Sequence, residues 1–172
     1  VKSFELSYDY LINHTEKSAD KGHKTEVAIN AIDEELTRYL IDLSGEQLNQ
    51  KESEVLTNIL DSSRDLERIG DHGEALINLT DYIRRKKVEF SPAALQELDL
   101  IYNMTLSFIK ESLKSVEDND IELANSLVAK HEAIDKMERR LRKTHIHRLN
   151  RGECSTQAGV NFIDIISHYT RV

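Results

Sequence analysis

A chain of 172 residues with a net charge of −8, one proline, six glycines and no tryptophan is long enough for one domain with a sizeable core, or for two half-domains that share one. Leu, Ile, Glu, Lys and Ala dominate and β-branched runs are scarce, which predicts an all-α fold, while the acidic balance excludes nucleic acid as the main partner because phosphate contacts need clustered Lys and Arg. The single cysteine, Cys154, excludes an intramolecular disulfide and suits a reducing compartment, and no apolar run approaches the roughly 20 residues of a membrane helix.

Residues 1–19 read as one helix, with Phe4, Leu6, Tyr8, Leu11 and Ile12 as an imperfect apolar side. It begins without a cap signal, so an upstream segment is expected before Val1. Thr25 is the expected cap of a second helix, whose stripe is Ile29, Ile32, Leu36, Tyr39, Leu40 and Leu43, and Ser44-Gly45 stops it. A long third helix is predicted from about Lys51 to Arg85, buried through Val55, Ile59, Leu66, Ile69, Leu76, Ile77 and Ile83. Gly70 and Gly73 lie inside it at a cost of about 1 kcal/mol each against alanine, which close approach of a neighbouring backbone, or room beside an ion, would offset. Ser91-Pro92 starts a fourth helix with a capping hydroxyl and a proline at the first helical position. Asp118-Asn119-Asp120 turns the chain into a fifth helix, Ile121 to Leu149, and Ser155 or Thr156 opens a sixth that runs to Val172.

The order suggests an internal duplication. Ala31-Ile32-Asp33 recurs as Ala133-Ile134-Asp135, and Asn58, Asp61 and Arg68 recur as Asn161, Asp164 and Arg171, about a hundred residues on in each case. The expected fold is two antiparallel three-helix bundles side by side with pseudo-twofold symmetry. Residues 1–88 form the first repeat, shortened at its N-terminus, and 89–172 the second, shortened at its C-terminus.

The densest cluster of ionisable groups is Asp65-Leu66-Glu67-Arg68-Ile69-Gly70-Asp71-His72. Glu67 and Asp71 are one helical turn apart on one face, a spacing that lets two carboxylates share a cation. His131 and Asp135 repeat that spacing on the fifth helix, and Asp33 is the counterpart of Asp135. Such oxygen-rich sets with an occasional imidazole suit iron, manganese, zinc or nickel; carboxylates at this spacing also cover many solvated helices, and both readings stand at this point. Arg68 is expected in a buried or half-buried ion pair with Asp65 or Asp61, and Arg171 with Asp164. The remaining histidines, His72, His145, His147 and His168, read as surface or structural, and the basic run Arg139-Arg140-Leu141-Arg142-Lys143 as a solvated face. No nucleophile–base set or glycine-rich phosphate loop is present, and no enzyme is expected.

The segment from Asp65 to His72 resembles the signature of PhoU-type phosphate-uptake regulators, and Ser167-His168-Tyr169-Thr170-Arg171-Val172 resembles a second, partial copy. The resemblance covers essentially the whole chain and is closest to the PhoU-like C-terminal domain of bacterial sodium/phosphate cotransporters. It implies a six-helix duplication and paired acidic motifs that in some members hold multinuclear metal clusters. Here Glu67 and Asp71 match one motif in full. Asp33 and Asp135 match the second members of two others, with Ile29 and His131 in the first members' places, and Thr170 stands where the last motif would have its glutamate. The implied function is a regulatory domain of a sodium-dependent phosphate symporter, on the cytoplasmic side of the cell membrane, whose partner is the membrane transporter part of the same chain. The implied alternatives are a free-standing adaptor of an ABC phosphate transporter and its sensor kinase, or a ligand-free helical dimerisation scaffold, with a homodimer as a further association.

Overall fold

A computed structural model describes residues 1–172 as six helices: α1 (Lys2–Asn13), α2 (Glu16–Ser44), α3 (Gln50–Arg85), α4 (Pro92–Glu117), α5 (Ile121–Asn150) and α6 (Thr156–Thr170). Helices α1 to α3 pack together, as do α4 to α6, and the two bundles meet through α3 against α6 and α1 against α4. Matching helices therefore face each other across the junction, as a pseudo-twofold arrangement requires.

Capping explains most boundaries. Ser91 accepts a hydrogen bond from the Ala94 amide at 3.2 Å, and Ser155 accepts one from Ala158 at 3.1 Å. Asp120 caps α5 through the Leu123 amide. Asn49 and Glu52 form a reciprocal capping box at the start of α3, satisfying two otherwise orphaned amides. Gly45 follows the last residue of α2, where the sequence places its stop.

Two boundaries differ from expectation. The helix expected over 1–19 breaks at His14, which adopts a left-handed conformation (φ 55°), a region where histidine is enriched among non-glycine residues. Asp9 anchors the turn by accepting hydrogen bonds from Asn13 and from the Ser18 hydroxyl. Thr15 thus precedes α2, and Thr25 is not a cap: it lies inside α2, its hydroxyl donating to the Lys21 carbonyl at 2.8 Å. The sixth helix ends at Thr170, short of Val172.

One core serves both bundles. Phe4 of α1 stacks on Tyr102 of α4 and meets the edge of Tyr169 of α6, each at 5.4 Å between ring centroids. Leu76, Leu98, Ile101, Phe162, Ile165 and Ile166 complete it. Each such side chain contributes about 1.5–3 kcal/mol by leaving water.

The core occupies only one end of the long helices. The stripe expected on α2 is largely uncovered: Ile32, Tyr39 and Leu43 are exposed and only Leu40 is buried. On α3 the same holds for Val55, Ile59 and Leu66, whereas Leu76, Ile77 and Ile83 are buried. The reason is length. The 12 residues of α1 lie along one end of the 29-residue α2 and 36-residue α3, so the far part of the α2–α3 hairpin is a two-helix arm with one apolar side facing solvent.

Candidate functional site

Helices α2 and α3 run antiparallel, and glycines set how closely they approach. A Cβ on Gly70 would lie 2.6 Å from a Glu26 carboxylate oxygen and 2.9 Å from Ile29, and one on Gly73 would lie 3.1 Å from the Ser3 backbone. Gly73 therefore admits the backbone of α1, while Gly70 leaves a niche that the Glu26 carboxylate fills. Close approach of a neighbouring backbone, one of the two offsetting readings, is what Gly73 shows, while the room at Gly70 is taken up by a side chain.

Glu26 is the residue that the sequence reasoning passed over. It is 2% exposed, and neither of its carboxylate oxygens has a hydrogen-bond partner. Burial pushes its pKa up, and the charges of Asp71 and Glu74 push it further, with Glu67 adding to them and the Asn30 amide opposing. Glu67 is also raised, first by burial and then by Asp71 and Asp33. Asp71 itself lies at the exposed rim, and Asp33 accepts a 2.5 Å hydrogen bond from the Ser63 hydroxyl. On the other side His23 lies 3.1 Å from Glu74.

The carboxylates of Glu26, Glu67, Asp71 and Glu74 thus share one electrostatic neighbourhood between α2 and α3. The signal that would have found Glu26 is present in the sequence. Glu26 and Asn30 stand one turn apart on α2, as Glu67 and Asp71 do on α3, one turn earlier than the Ile29–Asp33 pair that the repeat register selects. In donor chemistry the cluster fits an oxygen-preferring cation, and the orphaned, buried Glu26 carboxylate is the group such an ion would satisfy. Of the residues present, Glu26, Glu67 and Asp71 would hold it. No three His, Cys, Asp or Glu side chains converge as a ready-made ligand set.

Asp33 borders the cluster through its charge on Glu67, whereas the other sequence-selected residues do not join it. His131 and Asp135 are 3.9 Å apart on α5, both substantially exposed, and the His131 ring lies 5.8 Å from that of Phe108 on α4. On α6, the Thr170 hydroxyl donates to the Ile166 carbonyl of its own helix. Arg68 is not buried: its side chain is 62% exposed and 3.9 Å from Asp65. Arg171 is likewise exposed. Arg68→Ala is therefore expected to change stability by less than about 0.5 kcal/mol, as surface substitutions do; a chemical-denaturation midpoint well below that of the parent would show an ion pair stronger than the geometry provides. Arg139, Arg140 and Lys143 are exposed, as a solvated face requires, and Arg142 pairs with Glu138 and with the Ser167 hydroxyl.

A second group of buried polar side chains lies in the second bundle. Arg148 holds Glu97 through two hydrogen bonds, at 2.8 and 2.5 Å, and His145 stacks on Phe162 at 4.5 Å. These hold α5 against α4 and α6. No helix is long and apolar enough to cross a membrane.

The arrangement has counterparts. The chain is 29% identical over 122 residues to the phosphate-specific transport system accessory protein PhoU homolog 1 of Thermotoga maritima, an alignment covering 71% of this chain and 52% of that protein. The chain thus spans about half the length of the curated relative it matches. The crystal structure of PhoU from Pseudomonas aeruginosa superposes with a TM-score of 0.88 at 17% identity, over 99% of this chain and 81% of that one, a likeness of fold. The model of the PhoU domain matches residues 1–80, within the first bundle, and 98–172, within the second. With both bundles matched, the chain belongs to the PhoU domain family.

Proposed function

We propose that this chain is a regulatory module of phosphate transport: the cytoplasmic domain of a sodium-dependent phosphate symporter, modulating it through protein contacts and through metal occupancy of the Glu26–Glu67–Asp71 cluster. The observation that carries the reading is the family match over both bundles, combined with an arm whose apolar side is uncovered. A groove of roughly 660 Å³ runs along that arm, lined by Ile29, Ile32, Leu36, Val55, Ile59 and Leu66. Apolar surface of this extent on a helical arm suits a protein contact, whereas nothing in the bundle supplies a nucleophile with its base. Sodium-driven phosphate uptake is the assay. Ile32→Glu with Ile59→Glu is expected to leave the helical content unchanged and to abolish the effect of this chain on uptake; unchanged regulation in that variant would remove the arm from the mechanism.

A second reading, a free-standing adaptor of an ABC phosphate transporter and its sensor kinase, is favoured by the name of the Thermotoga maritima relative as a transport-system accessory protein. The same assay separates the two. A response that needs a sodium gradient supports the symporter; one that needs ATP and persists without sodium supports the adaptor; an effect on neither leaves a dimerisation scaffold.

Metal occupancy has its own test. Elemental analysis of protein purified without chelator is expected to show iron or manganese that Glu67→Gln with Asp71→Asn removes while helicity stays intact. Stoichiometric iron or manganese retained in that double variant would sink the assignment.

A further inference from the structure

At the edge of the acidic cluster, next to Asp71, one pair of imidazole side chains meets across the junction between the bundles. His72 on α3 and His168 on α6 lie with their Nδ1 atoms 3.2 Å apart, although 96 residues separate them in sequence. Their rings are inclined at 63°, with centroids 5.4 Å apart, and both are half-buried. Two imidazole nitrogens at this distance either share one proton or can share one ion.

The distance fits an ion. With zinc–nitrogen bonds of about 2.0–2.1 Å and a tetrahedral angle, two nitrogens on one ion lie about 3.3–3.4 Å apart. The observed separation is within roughly 0.2 Å of that bite, so the two nitrogens already stand at the spacing that one ion would require. The helices that carry the two rings are also well held: α6 buries Phe162, Ile165, Ile166 and Tyr169 in the shared core, and α3 buries Leu76 and Ile77 just beyond His72. Half-exposed rings leave room for water to complete the coordination.

We propose that His72 and His168 form a two-imidazole site for a borderline divalent ion (zinc, copper(II) or nickel) that clamps α3 to α6 and so fixes one bundle against the other. Its chemistry differs from that of the carboxylate cluster. Imidazole selects zinc, copper and nickel over magnesium and calcium, which prefer oxygen. Because the ligands come from different bundles, the ion binds the folded arrangement and not the unfolded chain, and occupancy stabilises it by mass action.

The test is a titration of the full chain with zinc chloride alone at pH 7.5, read by calorimetry and by thermal melting, with magnesium chloride as control. One zinc per chain is expected, with the melting temperature raised by about 5–10 °C at a hundredfold excess over Kd. His72→Gln and His168→Gln are each expected to weaken zinc binding at least tenfold, and Glu67→Gln with Asp71→Asn to leave it in place. Within the unsubstituted protein, the imidazole nitrogen resonances of two histidines, and no others, are expected to move on zinc addition. Absence of zinc binding up to millimolar concentration would overturn the site and reduce the pair to an N–H···N hydrogen bond. So would binding that survives both histidine substitutions, or binding that disappears only with the carboxylate pair.

Discussion

Glu97→Ala is expected to be the most damaging single substitution away from the apolar core, at about 3–5 kcal/mol. Arg148 donates to both oxygens of Glu97, and the two side chains are only 10% and 20% exposed. The guanidinium lies over the Phe162 ring at 5.5 Å, next to His145 at 3.3 Å, and its Nε has no partner. Removing the carboxylate leaves a largely buried cation without the partner that takes both of its hydrogen bonds. Breaking such a pair costs far more than the pair itself contributes, because the stranded charge bears the full desolvation penalty. Glu97→Gln retains one acceptor and most of the shape, and is expected to lose less, roughly 1–3 kcal/mol. Urea denaturation at pH 7 measures both. A loss under about 1 kcal/mol for the alanine variant, the size of an ordinary hydrogen bond, would mean that solvent reaches Arg148.

Glu26→Gln is expected to act in the opposite direction. Burial, with Asp71 and Glu74 behind it, raises the pKa of Glu26 in the folded protein. A raised carboxyl contributes its stability in full below the unfolded pKa and loses it as pH rises through the folded one. In the presence of a chelator, rising pH therefore works against folding, because the unfolded carboxyl ionises before the buried one does. Glutamine there keeps the shape but cannot ionise, and at pH 8 is expected to stabilise by about 1–2 kcal/mol, the order of the extra desolvation cost a charge carries over a neutral amide. As pH falls below the ordinary carboxylate range, where Glu26 is protonated in both states, the gain should vanish. Denaturation midpoints measured across that range give the difference directly, and a difference that does not change with pH would show that the carboxylate is satisfied. Manganese or iron reverses the order if the cluster holds the ion: the parent protein then becomes the more stable of the two, because only it retains the central ligand.

The helices themselves were legible because their signals are local. Ser91-Pro92, Asp120 and Ser155 cap where an oxygen can reach the amide three residues on, whatever the rest of the chain does. The duplication was legible for a similar reason: matching residues recur in order about a hundred positions apart, and the two bundles then meet through corresponding helices. The His14 break escaped because no glycine or proline marks it; its left-handed turn is held by Asp9, whose role depends on where Asn13 and Ser18 come to lie.

Within the acidic cluster, Glu67 and Asp71 stood out because the i, i+4 spacing on one helix is itself a geometric statement. Glu26 did not, since its burial comes from an event that one helix cannot encode: Gly70 of α3 arriving opposite it and leaving a niche the size of a carboxylate. The same limit explains Arg68, expected buried and found in solvent, and the apolar stripes of α2 and α3, expected covered and found bare along the arm. Periodicity tells which side of a helix is apolar, but what covers that side depends on how far its neighbours reach. The sequence by itself determined six helices, their order, their repetition and the acidic pair on α3. Only the tertiary structure decided which faces are buried, which carboxylate is stranded, and which two histidines meet, because burial and proximity are properties of helix pairs and never of one helix alone.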